Sequence, residues 1–278
     1  MSGARAALAL RDESYLRVNG ARLYYEDSGG DGPAVVFSHG LLWNTHLFDP
    51  QVSALVGTHR CIAYDHRGQG RSEDDPSNAI DMDTLTRDAA ALIDALGAGP
   101  CHFVGLSMGG YVGMRLAARH PDLIRSLTLL CTDAFAEDPA KIAKYRALNL
   151  VARMGGLRFT APSVMPILFG STFLADATRA PERRIWRDRL LANRRSIHRA
   201  VRGVIEREPV GVEIGRITAP TLVVRGTEDA AIGRARARAT AAAVRGARFE
   251  EVAQGGHTLT IEAPGQVNRL LHGFIDAN

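Results

Sequence analysis

The sequence has no hydrophobic run long enough to cross a membrane. No stretch of its 278 residues approaches the roughly 18 consecutive apolar residues that a membrane-spanning helix needs. The N-terminal run Ala6–Leu10 is too short for the core of a signal peptide, and charged residues follow it directly. We therefore expect a cytoplasmic protein without a membrane partner.

Cysteine and lysine are both scarce. The three cysteines, Cys61, Cys101 and Cys131, are widely spaced and odd in number, which predicts buried reduced thiols rather than disulfides or a metal site. Lysine occurs only at positions 141 and 144, so the net charge of +4 comes from arginine. A nucleic-acid role would need clustered basic residues within a recognition motif, and the sequence has no such motif. We expect neither a nucleic-acid partner nor a metal, and no organic cofactor.

The chain does contain a regular alternation of short apolar strands and helices. Two strand-like segments flank Asn19-Gly20, a dipeptide typical of tight hairpins. The next strand-like segment, Ala34–Ser38, is apolar without alternation, as a parallel strand covered on both faces requires. We predict an α/β fold with a doubly wound, mostly parallel, eight-stranded sheet and an antiparallel first hairpin. The predicted strands lie near residues 15–18, 22–26, 34–38, 60–64, 102–104, 127–130, 221–224 and 248–252.

The alternation is interrupted between Leu130 and Thr221, which are about 90 residues apart. A parallel crossover needs only one helix and short loops, so most of this stretch is surplus. Apolar residues recur at helical spacing in 141–152, 181–191 and 195–205. We predict a helical cap formed by residues 134–208, inserted after the sixth strand of a core domain formed by residues 1–133 and 209–278.

The most informative motif is G-x-S-x-G at residues 105–109, between a predicted strand and a predicted helix. A phosphate-binding loop would need a Walker or dinucleotide glycine pattern, and neither is present. In this context the serine lies on a sharp turn, and the glycines allow neighbouring backbone to approach closely. We interpret Ser107 as a nucleophile. The backbone N–H groups of Met108 and of Leu41, in the loop after strand 34–38, are the predicted oxyanion hole.

A serine hydroxyl needs an adjacent base, and His257 is the best placed of the nine histidines. It follows the last predicted strand and two glycines, at the sheet edge predicted for Ser107. The third member should be a carboxylate that orients the imidazole. Asp229 gives the chain order Ser, Asp, His, with adjacent Glu228 expected to point elsewhere. Asp133, which follows the sixth strand, stays open as an alternative.

These residues and motifs resemble the α/β-hydrolase superfamily over nearly the whole chain. The resemblance rests on His39-Gly40 and on the D-x-R-G-x-G-x-S segment at residues 65–72. It also rests on the G-x-S-x-G motif at residues 105–109, on the turn at residues 226–229 and on Gly256-His257. It implies the α/β-hydrolase fold, with Asp65 and Arg67 bracing loops beneath the site. The serine nucleophile disfavours haloalkane dehalogenases and epoxide hydrolases, which use aspartate. Segments 105–121 and 216–227 look most similar to carboxylesterases and 3-oxoadipate enol-lactonase-like proteins.

The function that follows is hydrolysis of a small carboxylic ester or lactone through an acyl-enzyme. Other chemistries of the fold remain open, namely C–C bond hydrolysis, perhydrolysis and acyl transfer, as does a slow-turnover ligand receptor that retains the triad. Four aromatic or heteroaromatic side chains are candidate pocket residues: His39, Trp43, Phe135 and Trp186.

Arginines are concentrated in one part of the predicted cap. Residues 179–207 contain ten arginines and three acids. They would form either a basic rim that attracts a carboxylate-bearing substrate or a solvated helix face. Both interpretations, and the oligomeric state, stay open.

Overall fold

The computed structural model describes residues 12–77 and 79–278, with the side chains of Asp12 and Glu13 excepted. The run Ala6–Leu10 considered above lies outside the described residues. Eight strands form one sheet in the order β1-β2-β4-β3-β5-β6-β7-β8. The strands are β1 (Asp12–Val18), β2 (Ala21–Asp27), β3 (Ala34–Ser38), β4 (Arg60–Tyr64), β5 (Cys101–Leu106), β6 (Ile124–Leu130), β7 (Thr221–Gly226) and β8 (Arg248–Val252).

The sheet is mostly parallel, with an antiparallel edge. Strands β1 and β2 pair around the turn Asn19-Gly20, with Val18 opposite Ala21, and both turn residues have positive φ. β2 is antiparallel to β4, whereas the pairings from β4 through β3, β5, β6 and β7 to β8 are all parallel. Every residue of β3, β5 and β7 is buried, as is usual for parallel strands covered on both faces. The predicted fold class is confirmed.

Helices cover both faces of the sheet and fill the long β6–β7 connection. Short 3₁₀ helices link several of them, at 45–48, 121–123, 157–159, 177–179, 195–197 and 214–216. The α-helices are α1 (Asp49–Leu55), α2 (Met82–Ala95), α3 (Met108–Arg119), α4 (Pro139–Gly155), α5 (Ala161–Leu168), α6 (Ser171–Ala175), α7 (Ala180–Leu191), α8 (His198–Ile205), α9 (Arg234–Ala243), α10 (Leu259–Glu262) and α11 (Pro264–Ile275). No helix within the described ranges has both the length and the apolarity needed to span a bilayer.

The connection between β6 and β7 contains helices α4–α8, which we call the inserted helices. Three of them match the segments predicted from helical spacing. Helix α5 was missed because Pro166 lies inside it, where a proline normally ends a helix, and α6 was missed because its five residues are too few to show a helical period. The division into a core and a cap at residues 134–208 stays a prediction.

The parallel strands bring the chemically important residues to one edge. Since the carboxyl ends of parallel strands meet on the same side of a sheet, so do the loops that follow them. The loops after β3 and β5 carry Gly40 and Ser107, and those after β7 and β8 carry Asp229 and His257. Gly40 and His257, which are 217 positions apart in sequence, therefore line the same cavity.

Candidate active site

Ser107 occupies a strained turn between β5 and α3. Its backbone has φ 52° and ψ −109°, in the region that favours glycine, and its N–H donates to Leu130 O at 2.9 Å. The flanking glycines make this turn possible. A Cβ on Gly105 would lie 2.3 Å from Gly109 O, and one on Gly109 would lie 1.9 Å from Ser38 O. The motif therefore encodes a close backbone approach that forces the hydroxyl above the sheet edge.

The predicted oxyanion donors lie on the two loops beside Ser107. Met108 is the first residue of α3, and Leu41 lies in the loop after β3. The Gln69 side chain connects the two loops, since its Oε1 accepts from Leu42 N at 3.0 Å and its Nε2 contacts Met108 Sδ at 3.5 Å. Sequence inspection missed this connecting role, although Gln69 lies within the segment 65–72 that carried the resemblance.

His39 braces the loop that follows β3 by hydrogen bonds. Its Nδ1 is 2.7 Å from Gly40 O, and its Nε2 accepts from His66 N at 3.1 Å, so the neutral tautomer with a proton on Nδ1 satisfies both contacts. Burial lowers the pKa of His39 to about 4, so the ring stays neutral near pH 7. Asp65 accepts from Thr45 N and Arg71 N, which is the bracing role that the resemblance implied.

His257 and Asp229 form a buried pair. His257 Nδ1 lies 3.0 Å from Asp229 Oδ1, which also accepts from Ala231 N at 2.8 Å and Ile232 N at 3.0 Å. Burial favours the neutral form of Asp229, but the charge and hydrogen bond of His257, with the Ile232 N–H, outweigh it and lower the pKa. His257 and Ser107 line the same cavity. No hydrogen bond between these two side chains occurs in this structure, and unliganded sites are often looser in this respect.

The two other carboxylates considered as triad acids have different partners. Asp133 accepts from Arg236 Nε at 2.6 Å and from Phe135 N at 3.0 Å, and it lies 3.7 Å from Arg207. Glu228 accepts from Thr172 N at 2.8 Å and so points away from His257, as expected. Geometry therefore favours Asp229 as the partner of His257.

The cavity above Ser107 has a volume of about 130 Å³ and mostly apolar walls. Of the four pocket candidates, Trp43 lines it. The other three do not and are corrected here: buried His39 lies beneath the loop, Trp186 packs edge-on against Trp43 at 5.2 Å, and Phe135 lies beside Arg236. The lining residues are Gly40, Leu41, Leu42, Trp43, Leu106, Ser107, Tyr111, Glu137, Tyr145, Leu148, Asn149, Ala152, Leu157, Val164, Ile167, Leu168, Val201, Val204, Ile205, Ala231, Ile232 and His257.

Arginine is absent from the cavity lining within the described chain, although ten arginines lie between residues 179 and 207. Several of them bind main-chain carbonyls elsewhere. Arg194 donates to Ser72 O at 2.6 Å, and Arg179 donates to Ile261 O at 2.9 Å. Arg207 pairs with Glu137 at 2.9 Å, which neutralises the acidic residue of the cavity wall. These contacts favour an attachment role for these arginines over recognition of a carboxylate.

Cys131, directly after β6, adjoins the histidine–aspartate pair. Its φ is 48°, and burial, reinforced by the charge of Asp229, raises the pKa of its thiol well above the usual value. Cys131, Asp229 and His257 offer possible metal-ligand atoms within 4.8 Å of one another. Because the histidine and aspartate atoms are already bonded to each other, a metal would have to break that pair. The absence of a metal or cofactor from the reaction stays a prediction.

The family model for the α/β-hydrolase fold matches residues 33–264. The chain belongs to the α/β-hydrolase family. This hydrolase is 30% identical to an enol-lactonase from Burkholderia xenovorans LB400, with a TM-score of 0.87, covering 95% of this chain and 100% of that one. A thermophilic esterase from Thermogutta terrifontis is 26% identical, with a TM-score of 0.86 and coverage of 95% and 98%. A relative named for carbamate hydrolysis, RutD of Variovorax paradoxus (strain S110), is 29% identical, covering 91% and 96%.

Proposed function

We propose that this hydrolase cleaves a small, uncharged carboxylic ester or lactone through a covalent acyl-enzyme on Ser107. The observation that carries the proposal is the strained turn at Ser107, which shares one apolar cavity with His257, the hydrogen-bond partner of buried Asp229. A nucleophile on a forced turn, a base beside it and a buried acid behind the base form the arrangement used for acyl transfer.

In the proposed first half-reaction, Ser107 Oγ attacks the ester carbonyl carbon while His257 Nε2 takes the hydroxyl proton. The backbone N–H groups of Met108 and Leu41 bind the developing oxyanion. The bond from carbon to the leaving oxygen then breaks, and His257 returns its proton to that oxygen, which frees the alcohol. Asp229 stabilises the transient imidazolium. In the second half-reaction, His257 takes a proton from water, and the water oxygen attacks the acyl carbon. The bond from that carbon to Ser107 Oγ then breaks, His257 returns the proton to Oγ, and the carboxylic acid is released.

The cavity supports a substrate with a small apolar acyl group. Its walls carry aliphatic side chains such as Leu148, Val164 and Val201, and its volume is close to that of an engineered apolar cavity that accommodates benzene. A carboxylate on the substrate would lose its hydration there without gaining a cationic partner. The enol-lactone and carbamate named for two relatives therefore supply the reaction class, hydrolysis at a carbonyl, and not the substrate.

Labelling with a fluorophosphonate followed by peptide mapping tests the nucleophile. We expect one label on Ser107, and we expect Ser107→Ala to fold normally but to lose both labelling and turnover of p-nitrophenyl butyrate. Steady multiple turnover by the native enzyme supports a hydrolase, whereas a single burst would indicate a receptor. Labelling of another residue, or undiminished turnover by Ser107→Ala, would overturn the assignment.

A further inference from the structure

A buried carboxylate outside the proposed triad holds the backbone on both sides of His257. Glu262 is 8% exposed, and its side chain accepts three main-chain N–H groups. Gly256 N donates to Oε2 at 3.0 Å, and Thr258 N donates to Oε1 at 3.1 Å. These two donors are the neighbours of His257 in the chain. The third donor, Gly170 N, reaches Oε2 at 2.8 Å from the loop between α5 and α6.

The same place joins the inserted helices to the histidine loop by further contacts. Thr258 donates to Leu168 O through both its N–H, at 2.9 Å, and its hydroxyl, at 2.8 Å. A Cβ on Gly256 would lie 2.1 Å from Gly170 N, so the two loops pack with no room for a side chain. Leu168 also lines the cavity above Ser107. Part of the cavity wall is thus hydrogen-bonded directly to Thr258, the residue that follows His257 in the chain.

We propose that Glu262 is a positioning residue that joins the loop of His257 to the inserted helices and fixes the imidazole within reach of Ser107. This inference rests on the proposed function, because it takes His257 as the general base. Three N–H groups converging on one carboxylate need its negative charge for full hydrogen bonding. Glutamine has the same length but replaces one oxygen with an NH₂ group, which would face an N–H donor.

Ionisation of Glu262 sets the conditions for a test. Burial raises the pKa of its carboxyl to about 7, while the three N–H donors and the charge of His257 act in the opposite direction. Other charged groups nearby are Glu228, which approaches Gly170, and Arg179, which donates to the Glu262 main-chain oxygen at 2.7 Å. Assays at pH 8 therefore compare variants with an enzyme in which Glu262 is mainly ionised.

Glu228 provides a matched control. Its carboxylate also binds the inserted helices, through Thr172 N at 2.8 Å and Ser171 Oγ at 3.1 Å, but its side chain contacts neither neighbour of His257. Glu228→Gln therefore weakens attachment of the helices alone. Glu262→Gln alters both that attachment and the histidine loop, so comparing the two isolates the positioning effect.

The experiment measures kcat and KM for p-nitrophenyl butyrate and the rate of fluorophosphonate labelling at pH 8, for native enzyme, Glu262→Gln, Glu228→Gln and His257→Ala. Displacement of a catalytic group by about 1 Å can cost about 100-fold in rate. We expect Glu262→Gln to lower kcat and labelling about 10- to 100-fold with KM changed less than about threefold, and Glu228→Gln to keep both rates within about threefold. Thermal unfolding establishes that each variant is folded at the assay temperature.

A second readout separates positioning from general loss of structure. Glu262→Ala leaves space for a small carboxylate, so we expect formate, but not neutral formamide, to restore part of the labelling rate. If neither Glu262→Gln nor Glu262→Ala folds, Glu262→Asp replaces them, because it keeps the negative charge on a shorter side chain. The changes in kcat and KM expected of Glu262→Gln are then expected of Glu262→Asp. Native rates in Glu262→Gln, or equal losses in Glu228→Gln, would overturn the inference. Native labelling of His257→Ala would instead overturn the proposed function.

Discussion

Asp229 binds His257 through one carboxylate oxygen, at 3.0 Å from Nδ1, while its other oxygen is buried and has no hydrogen-bond partner. Two backbone N–H groups, of Ala231 and Ile232, also bind the first oxygen, and the Cys131 thiol lies close to the carboxylate. We expect Asp229→Asn to lower kcat/KM by about 10³- to 10⁴-fold, because an amide selects the wrong imidazole tautomer and does not stabilise the imidazolium. Steady-state kinetics on p-nitrophenyl butyrate measures the loss.

Asp133 should behave in the opposite way. It pairs with Arg236 at 2.6 Å and lies near buried Arg207, so its charge supports structure. We expect Asp133→Asn to retain kcat/KM within about threefold but to lower the free energy of unfolding by about 3 kcal/mol, since it removes the buried charge that pairs with Arg236 and that supplements Glu137 beside Arg207. Urea unfolding with activity measured on the folded enzyme decides this. An activity loss equal to that of Asp229→Asn would instead support Asp133 as the acid of the triad.

Two glycines give contrasting outcomes for the same substitution. In Gly109→Ala the new methyl would lie 1.9 Å from Ser38 O in β3, and we expect destabilisation by at least about 2 kcal/mol with loss of turnover. Gly273 lies in α11 with nothing within 4 Å, so Gly273→Ala should stabilise the protein by about 0.5–1 kcal/mol. Urea unfolding compares them. An unchanged free energy of unfolding in Gly109→Ala would contradict the close approach between Gly109 and the Ser38 main chain.

The three thiols should be inert in the native protein. Cys61, Cys101 and Cys131 are free and buried, and burial raises the pKa values of the first two to about 12 and that of the third well above its usual value. We expect no alkylation by iodoacetamide at pH 8 and no loss of esterase activity. The urea-unfolded protein should incorporate three labels by mass spectrometry. Rapid inactivation of native enzyme would indicate an accessible thiolate near the site.

Acid should destabilise the fold through its buried histidines. Burial, with the charge of Arg125, lowers the pKa of His102 from 6.5 to about 4, and its Nδ1 lies 2.7 Å from Ser126 Oγ. A lowered histidine pKa means that the unfolded chain binds the proton more readily. The contribution of neutral His102 to the free energy of unfolding is therefore complete above pH 6.5 and is lost as the pH falls toward 4.

His102→Gln isolates this effect because residue 102 lies at the start of β5, away from the cavity. We expect its free energy of unfolding to fall less steeply than that of the native protein between pH 6.5 and 4.5. The largest difference in slope is about 1.4 kcal/mol per pH unit, for one proton. Urea titrations at several pH values measure it. Parallel curves would show that His102 titrates alike in both states.

Substrate charge tests the role of the arginines. Because the cavity walls are apolar and the arginines bind elsewhere, we expect neutral p-nitrophenyl esters to be preferred over a hemisuccinate ester at every ionic strength. We also expect kcat/KM for the anionic ester to change little with salt. A strong preference for the anion at low salt would support the basic rim instead.

Position along the strands explains what could be predicted. Ser107, Asp229 and His257 each follow a parallel strand, so their meeting at one sheet edge follows from the strand order alone. Asp133 satisfies the same rule, and only the side chains packed around it, chiefly Arg236, distinguish it from Asp229. Helix α10 and Glu262 gave no signal, because a four-residue helix has no periodicity and its carboxylate acts on backbone.

The walls of the cavity were less predictable than the strand order. Trp43 lines the cavity, and it lies two residues after Leu41 on the loop that follows β3. The orientation of Trp186 depends on how α7 packs, and Trp43 itself covers one side of it. Proline within α5 concealed a helix whose last residue, Leu168, forms part of the cavity wall. Helix packing, unlike strand order, leaves little trace in local sequence.

Two arginines of the connection between β6 and β7 bind main-chain oxygens in other parts of the protein: Arg194 donates to Ser72 O and Arg179 donates to Ile261 O. Every amino acid supplies that oxygen. Substitutions at positions 72 and 261 can therefore accumulate during evolution while these two attachments are kept, provided that both arginines are retained. The side chains of the cavity wall can then change toward new substrates while the inserted helices stay attached to the rest of the protein.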